Sequence, residues 1–223
     1  MATIVKLLET TFIRIGNDEY ARENQSFGLT TMRNKHVKIR GSKIRFRFRG
    51  KSGIVRDMDL SDRKLAQIVR RCQDLPGQEL FQYLDEDGAP CAVNSSDVND
   101  YLREVTGIDL TAKDFRTWAG TVLAARALAE LETFASKTQA KRNVINAIES
   151  VAKRLGNTRS VCQKCYIHPA IVNSYVDGTF VQRFSQTVPS QVAGSLGALM
   201  PEEAAVMTIL KQTLKSGSNK KAA

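Results

Sequence analysis

Apolar and polar side chains alternate strictly along residues 43–49. Ile44, Phe46 and Phe48 occupy one parity, and basic side chains occupy the other. Because successive side chains of a β-strand point to opposite faces, this period of two predicts a strand with one buried face and one basic face. Residues 50–53, Gly-Lys-Ser-Gly, are of types that favour a turn, and a second strand-like run follows at residues 54–58. The pattern therefore predicts a β-hairpin with Lys51 at its tip.

The rest of the first 60 residues also favours β-structure. Segments around residues 12–15 and 36–40 are strand-like, and Gly28 and Gly41 indicate turns near them. We therefore expect residues 1–60 to form a β-rich N-terminal part of the fold.

Helical spacing replaces this alternation from Ser61 onward. Ser61 is a candidate N-cap for a helix whose apolar side chains recur from Leu65 to Cys72. Further helices are predicted over residues 96–105, 112–135, 140–155 and 201–214. Residues 178–199 are rich in Ser, Gly, Gln and Thr and are interpreted as a loop or connecting segment. Residues 61–223 are thus expected to be the helical part of an α+β, mainly α, protein.

Composition narrows the class of protein. The 223 residues are 42% hydrophobic and 25% charged, values typical of globular domains. No apolar run approaches the roughly 18 residues of a membrane span, and the N-terminus lacks the features of an export signal. The four cysteines are too few for a disulfide scaffold. We therefore expect a cytoplasmic protein with no membrane partner.

Positive charge is concentrated in one part of the chain. Lys and Arg number 33 against 23 Asp and Glu, a formal net charge of +10. No acidic residue lies between Glu23 and Asp57, yet that stretch contains ten cations. A solvated strand face is one interpretation, but so long an acid-free stretch favours a surface that binds phosphates.

Several short motifs complete the sequence evidence. They are Ile-Arg-Ile-Gly-Asn at residues 13–17, Gly-Leu-Thr at 28–30, Lys-Asp-Phe-Arg-Thr-Trp at 113–118, Leu-Gly-Asn-Thr at 155–158 and Tyr-Ile-His-Pro at 166–169. Taken with Lys51, their order and intervals resemble the catalytic domain of type IB DNA topoisomerases, in particular the short poxvirus and bacterial enzymes. The resemblance runs from about residue 12 to residue 175.

This resemblance implies a role for each of five residues. Tyr166, nine residues after Asn157, corresponds to the nucleophile that attacks the DNA phosphodiester. Arg14 and Arg116 correspond to the arginines that stabilise negative charge on the non-bridging oxygens. Lys51 corresponds to the general acid that protonates the leaving 5′ oxygen. Asn157 stands where a His is commoner in the family, and its amide can still donate a hydrogen bond to phosphate.

The resemblance also implies how DNA is bound and which fold to expect. The expected fold is the helical catalytic domain of the type IB topoisomerases and tyrosine recombinases, with a small N-terminal antiparallel β element. The expected partner is double-stranded DNA, bound by a nucleoid-associated monomer without cofactor or metal. The family's separate N-terminal clamp domain is expected to be absent. The residues expected to contact DNA are Tyr20, Lys35, Arg45, Arg47, Arg49 and Lys113.

Two other functions are compatible with the same residues. A tyrosine recombinase shares the Arg-Lys-Arg-Tyr chemistry, and a DNA-binding module without catalytic activity would share the basic strand. His168 is not expected to be catalytic, since adjacency in sequence is not hydrogen-bond geometry. Cys162 and Cys165 have CxxC spacing but no second pair of ligands nearby, so they are expected to pack beside Tyr166 rather than to bind zinc.

Overall fold

The computed structural model describes residues 1–131, 133–191 and 199–219. The chain divides into two compact units, Met1–Arg116 and Thr117–Ala223. The division of one catalytic domain into residues 1–60 and 61–223 stays a prediction.

The first unit begins with helices, which corrects the expectation of a mainly β N-terminal quarter. Helix α1 spans Ala2–Thr11 and helix α2 spans Asp18–Asn24. Ile4, Leu7 and Leu8 recur at helical spacing and are at most 2% exposed, so burial of this stripe stabilises α1. Residues 12–15, expected to be a strand, form the connection between the two helices.

A three-stranded antiparallel sheet follows in the order β1-β2-β3. The strands are β1 Val37–Arg40, β2 Lys43–Arg49 and β3 Val55–Ser61. Ile44, Phe46 and Phe48 of β2 are buried and the intervening basic side chains are exposed, which confirms the predicted alternation. A tight helical turn at Lys51–Gly53 joins β2 to β3, as predicted for the hairpin.

The rest of the first unit is α3 Arg63–Gln73, a small antiparallel pair formed by β4 Gln82–Leu84 and β5 Pro90–Ala92, and α4 Ser95–Thr106. Asp62, rather than the expected Ser61, caps α3 by accepting the Leu65 N–H at 2.9 Å. Ser61 is unsuited to that role because it is the last residue of β3, where it pairs with Lys43.

Helix α5, Ala112–Ala129, crosses the boundary between the units and is shorter than the predicted 112–135. The next helix starts soon afterwards, with Ser136 as its N-cap. Gln139 N–H donates to Ser136 Oγ at 3.2 Å, and the Gln139 side chain accepts the Ala135 N–H at 3.0 Å. Helix α6 accordingly begins before the predicted residue 140.

The second unit is helical in the part that the structure describes. Its helices after α5 are α6 Lys137–Leu155, α7 Arg159–Cys165, α8 Pro169–Val176, α9 Phe180–Gln191 and α10 Pro201–Asn219. Helix α9 corrects the loop expected over residues 178–199, of which residues 192–198 lie outside the described residues. Phe180 and Phe184 lie one turn apart with ring centroids at 5.3 Å and are both buried, so packing determines a segment whose polar composition suggests a loop.

These elements confirm the predicted class, a mainly α protein of the α+β type with a small antiparallel sheet. Among the described residues, no helix is both long enough and apolar enough to cross a membrane.

Candidate active site

Arg14 lies in the connection between α1 and α2, which is held by a neighbouring segment. The Arg14 carbonyl accepts the Leu29 N–H at 2.9 Å, and the Ile15 carbonyl accepts the Thr30 N–H at 2.7 Å. A Cβ at position 28 would lie 2.6 Å from the Arg14 carbonyl oxygen, so only glycine allows the two backbones to approach this closely. The Gly-Leu-Thr motif therefore fixes the backbone that carries Arg14.

The turn that carries Lys51 is anchored to the same segment. Phe27 N–H donates to the Arg49 carbonyl at 2.8 Å, and Ser26 Oγ donates to the Gly50 carbonyl at 3.1 Å. Residues 26–30 thus contact both the Arg14 connection and the end of β2. Lys51 itself is exposed, as expected for the tip of a hairpin.

Arg116 is 3% exposed, an unusual degree of burial for an arginine. Its Nη1 donates to the carbonyl oxygen of Phe12, the residue that ends α1 in the left-handed region with φ of 55°. Burial of a charged group requires such a partner. Within the first unit, hydrogen bonds therefore link the segments that carry Arg14, Lys51 and Arg116.

Tyr166 follows the last residue of α7, and its N–H donates to the Cys162 carbonyl at 3.0 Å. Its backbone lies directly against α5 within the second unit. A Cβ at Gly120 would be 2.4 Å from the Tyr166 carbonyl oxygen, and Thr121 Oγ1 accepts the His168 N–H at 3.1 Å. Gly120 and Thr121 thus hold the segment that carries Tyr166, a role that the sequence motifs did not reveal.

Asn157 lies in the short link between α6 and α7. Gly156 ends α6 in the left-handed conformation with φ of 64°, and Asn157 N–H donates to the Ala152 carbonyl at 2.9 Å. Thr158 then caps α7 by accepting the Val161 N–H at 3.3 Å. The Leu-Gly-Asn-Thr motif is therefore a helix stop followed by a helix start, which fixes the backbone on both sides of Asn157.

The cysteines and the histidine close to Tyr166 in sequence differ in burial and in hydrogen bonding. Cys162 is buried, but Cys165 is exposed, so the expectation that both cysteines pack is correct only for Cys162. His168 Nδ1 accepts the Ala170 N–H at 3.2 Å and caps α8. Within the described residues, no group of three or more His, Cys, Asp or Glu side chains could hold a metal ion.

The basic face of β2 has acidic neighbours that the sequence analysis missed. Asp57 accepts from Arg45 Nε at 2.8 Å and from Arg45 Nη2 at 2.7 Å, and its Oδ2 lies 3.8 Å from Arg47 Nε. Asp59 forms a second ion pair with Lys43 at 2.8 Å. The hydrogen bond from Arg45 lowers the pKa of Asp57 below its ordinary value, so this carboxyl group is charged at neutral pH.

The remaining residues expected to contact DNA are exposed and lie on separate elements of the first unit. Tyr20 is in α2 and is 52% exposed, Lys35 is in the helical turn before β1, and Lys113 is in the first turn of α5. Their contact with DNA stays a prediction.

One histidine near Lys35 is unusual. The ring of His36 lies 4.5 Å from that of Phe27 and 6.4 Å from that of Phe48, and its Nδ1 accepts the Arg33 N–H at 3.1 Å. Burial, together with the nearby charges of Lys35 and Arg33, lowers the pKa of His36 from 6.5 to about 4. His36 is therefore neutral at neutral pH.

Comparison with known proteins identifies the family. The family described as "Eukaryotic DNA topoisomerase I, catalytic core" matches residues 1–185. The chain belongs to this family. The chain is 33% identical over 174 residues to DNA topoisomerase 1B of Acanthamoeba polyphaga mimivirus, an alignment that covers 75% of this chain and 52% of the relative. It is 24% identical over 189 residues to DNA topoisomerase 1B of Vaccinia virus (strain Copenhagen), covering 82% of this chain and 56% of the relative.

The comparisons confirm the type IB topoisomerase family predicted from the motifs. The chain spans about half the length of the curated relatives that it matches. The family match contains the five candidate catalytic residues and ends before α10 begins.

Proposed function

We propose that this chain carries the catalytic activity of a type IB DNA topoisomerase and relaxes supercoiled duplex DNA. The observation that carries the proposal is the family match, because it spans residues 1–185 and includes every candidate catalytic residue. The relatives named DNA topoisomerase 1B support the same activity.

The proposed reaction is a reversible transesterification at a DNA phosphodiester. The Tyr166 oxygen gives up its phenol proton to solvent and attacks phosphorus, and the bond from phosphorus to the 5′ oxygen breaks, which leaves a 3′-phosphotyrosyl link and a free 5′-hydroxyl. The duplex beyond the nick then rotates, and attack by the 5′-hydroxyl restores the phosphodiester and releases Tyr166. Because the covalent link conserves the phosphoester energy, the cycle consumes no ATP. Fixed guanidinium groups stabilise the charge on the phosphate, so the proposed reaction needs no metal.

The other four residues are proposed to act on charge and protons. Arg14 and Arg116 stabilise the negative charge that develops on the non-bridging oxygens, and Asn157 donates a hydrogen bond to the same phosphate. Lys51 gives a proton to the departing 5′ oxygen and takes it back during religation.

The burial of Arg116 supports its proposed role. A guanidinium that is held by the Phe12 carbonyl is already oriented before DNA arrives. Preorganised donors stabilise a transition state without the free-energy cost of reorganisation. The close contact of Gly120 with the Tyr166 backbone supports the role of Tyr166 in the same way, because a nucleophile acts fastest when its position is fixed.

DNA binding is proposed to depend on exposed cations and one aromatic residue outside the catalytic group. Tyr20, Lys35 and Lys113 contact the duplex, together with the β2 arginines Arg45, Arg47 and Arg49. The protein is proposed to act as a nucleoid-associated monomer in the cytoplasm.

Plasmid relaxation in the presence of EDTA tests the proposed function. We expect the wild-type protein to relax supercoiled plasmid without partner sites, and Tyr166→Phe to bind the plasmid but not relax it. Joining of two specific sites would instead indicate a recombinase. Binding with neither reaction would indicate a DNA-binding module without catalytic activity.

A further inference from the structure

The outer face of the three-stranded sheet combines a basic half with an acidic edge. Strands β1 and β2 contribute six exposed cations and β3 contributes two exposed carboxylates. The cations are Lys38, Arg40, Lys43, Arg45, Arg47 and Arg49. The carboxylates belong to Asp57 and Asp59, which lie opposite Arg47 and Arg45 in the β2–β3 register. The acid-free stretch of the sequence therefore folds against acids that come directly after it.

Asp57 forms ion pairs with two arginines of this face, whereas Asp59 forms one with Lys43. Both oxygens of Asp57 accept from Arg45, at 2.8 and 2.7 Å, and one of them lies 3.8 Å from Arg47 Nε. Two arginines thus share one carboxylate. The side chains of Arg45 and Asp57 are 53% and 37% exposed, so DNA can approach both of them.

Exposed ion pairs of this kind contribute little to the stability of a fold. They matter more to the binding of a polyanion. An arginine whose charge is already balanced by a carboxylate displaces fewer counterions when it meets a DNA phosphate, so it adds less to affinity and to salt dependence.

We infer that Asp57 competes with DNA phosphates for Arg45 and Arg47, and thereby weakens the binding of the β2 face to the duplex backbone. The inference rests on the proposed function, in which that face contacts DNA. Asp57 is then a residue that limits affinity, and an enzyme that must release its product gains from such a limit.

Equilibrium binding of a short duplex by the Asp57→Asn variant across a series of salt concentrations tests the inference. Freeing one arginine for one phosphate should steepen the log–log salt slope by about 0.9. If the variant and the wild-type protein bind equally at about 1 M salt, this slope makes the variant bind about fivefold more tightly at about 0.15 M salt. Glu86→Gln is the matched control, because it removes the same charge from an exposed turn between β4 and β5. The control should leave the slope unchanged.

A second background shows whether the effect passes through the two arginines. In a protein that already carries Arg45→Ala and Arg47→Ala, Asp57→Asn should change the slope no more than Glu86→Gln does. An equal effect of Asp57→Asn in both backgrounds would mean that Asp57 acts only through overall charge, and would overturn the inference. So would an Asp57→Asn variant of the otherwise wild-type protein with wild-type affinity and slope. If the wild-type protein itself fails to bind duplex DNA, the proposed function fails together with the inference.

Discussion

Adding one methyl group at Gly120 should slow DNA cleavage without weakening DNA binding. In Gly120→Ala the new Cβ would lie 2.4 Å from the Tyr166 carbonyl oxygen, whereas ordinary contact begins at 3.4 Å. The Tyr166 backbone must therefore move away from α5 by about 1 Å, and a displacement of that size can lower a rate about 100-fold.

The same substitution has two opposing effects on stability. Overpacking lowers the free energy of unfolding by about 1 to 3 kcal/mol. Alanine in place of glycine within a helix raises it by about 0.5 to 1 kcal/mol. The variant should therefore stay folded at 25 °C with a net loss of about 0 to 2.5 kcal/mol, which can be checked by urea unfolding.

Single-turnover cleavage of a duplex oligonucleotide by excess protein measures the predicted loss. Gly178→Ala is the control: position 178 has φ of 75° and no atom within 4 Å of an added Cβ. This variant is strained by about 1 to 2 kcal/mol but does not touch Tyr166, so it should cleave at the wild-type rate. If folded Gly120→Ala cleaved as fast as wild type, or if Gly178→Ala were equally slow, Gly120 would not position Tyr166 for cleavage.

Three further predictions concern the first unit. Lys51→Ala should slow cleavage of a normal phosphodiester far more than cleavage of a substrate with a 5′-bridging sulfur, since a thiolate leaves without a proton; equal slowing of both would remove Lys51 from the general-acid role. The pKa of His36 is about 4 in the folded state and 6.5 ordinarily, so between these pH values the unfolded chain binds more protons than the folded protein. The free energy of unfolding should therefore fall as the pH falls from 6.5 to about 4. Urea unfolding at several pH values should show a flatter dependence for His36→Gln than for His168→Gln, and identical curves would contradict the assignment. Replacing both Arg47 and Arg49 by alanine should flatten the log–log salt slope of duplex binding by about 0.9 to 1.8 units, because Asp57 already balances part of the charge of Arg47; an unchanged slope would mean that this face is only solvated.

Where local pattern and packing agree, the sequence predicts the fold well. The β2–β3 hairpin was predictable because alternation, turn residues and burial all point to the same structure. Helix α1 was missed because it begins at the second residue without a capping side chain, so only the spacing of Ile4, Leu7 and Leu8 indicates it. Helix α9 was missed because most of its residues are polar, and the buried pair Phe180 and Phe184 is too short a pattern to predict a helix.

Some features of the candidate active site could likewise be predicted from the sequence, and others could not. The five candidate catalytic residues follow from motifs that resemble a family, and the comparisons confirm that family. The role of Gly120 could not be predicted, because Tyr166 lies 46 positions later in the chain and only tertiary structure brings the two backbones together. The proximity of Asp57 to the β2 arginines could be predicted in principle, since the hairpin fixes a register in which Asp57 lies opposite Arg47. The diagonal hydrogen bonds from Arg45 to Asp57 do not follow from that register.

The proposed mechanism requires that Tyr166 becomes covalently joined to DNA. When the scissile strand extends only a few nucleotides beyond the cleavage site, the short fragment with the free 5′-hydroxyl dissociates and religation is prevented. The trapped protein–DNA adduct can then be digested and mapped by mass spectrometry. We expect one adduct, on the peptide that contains Tyr166, with a 3′-phosphate link, and none with Tyr166→Phe. An adduct on another residue, or one that still forms with Tyr166→Phe, would contradict the proposed mechanism.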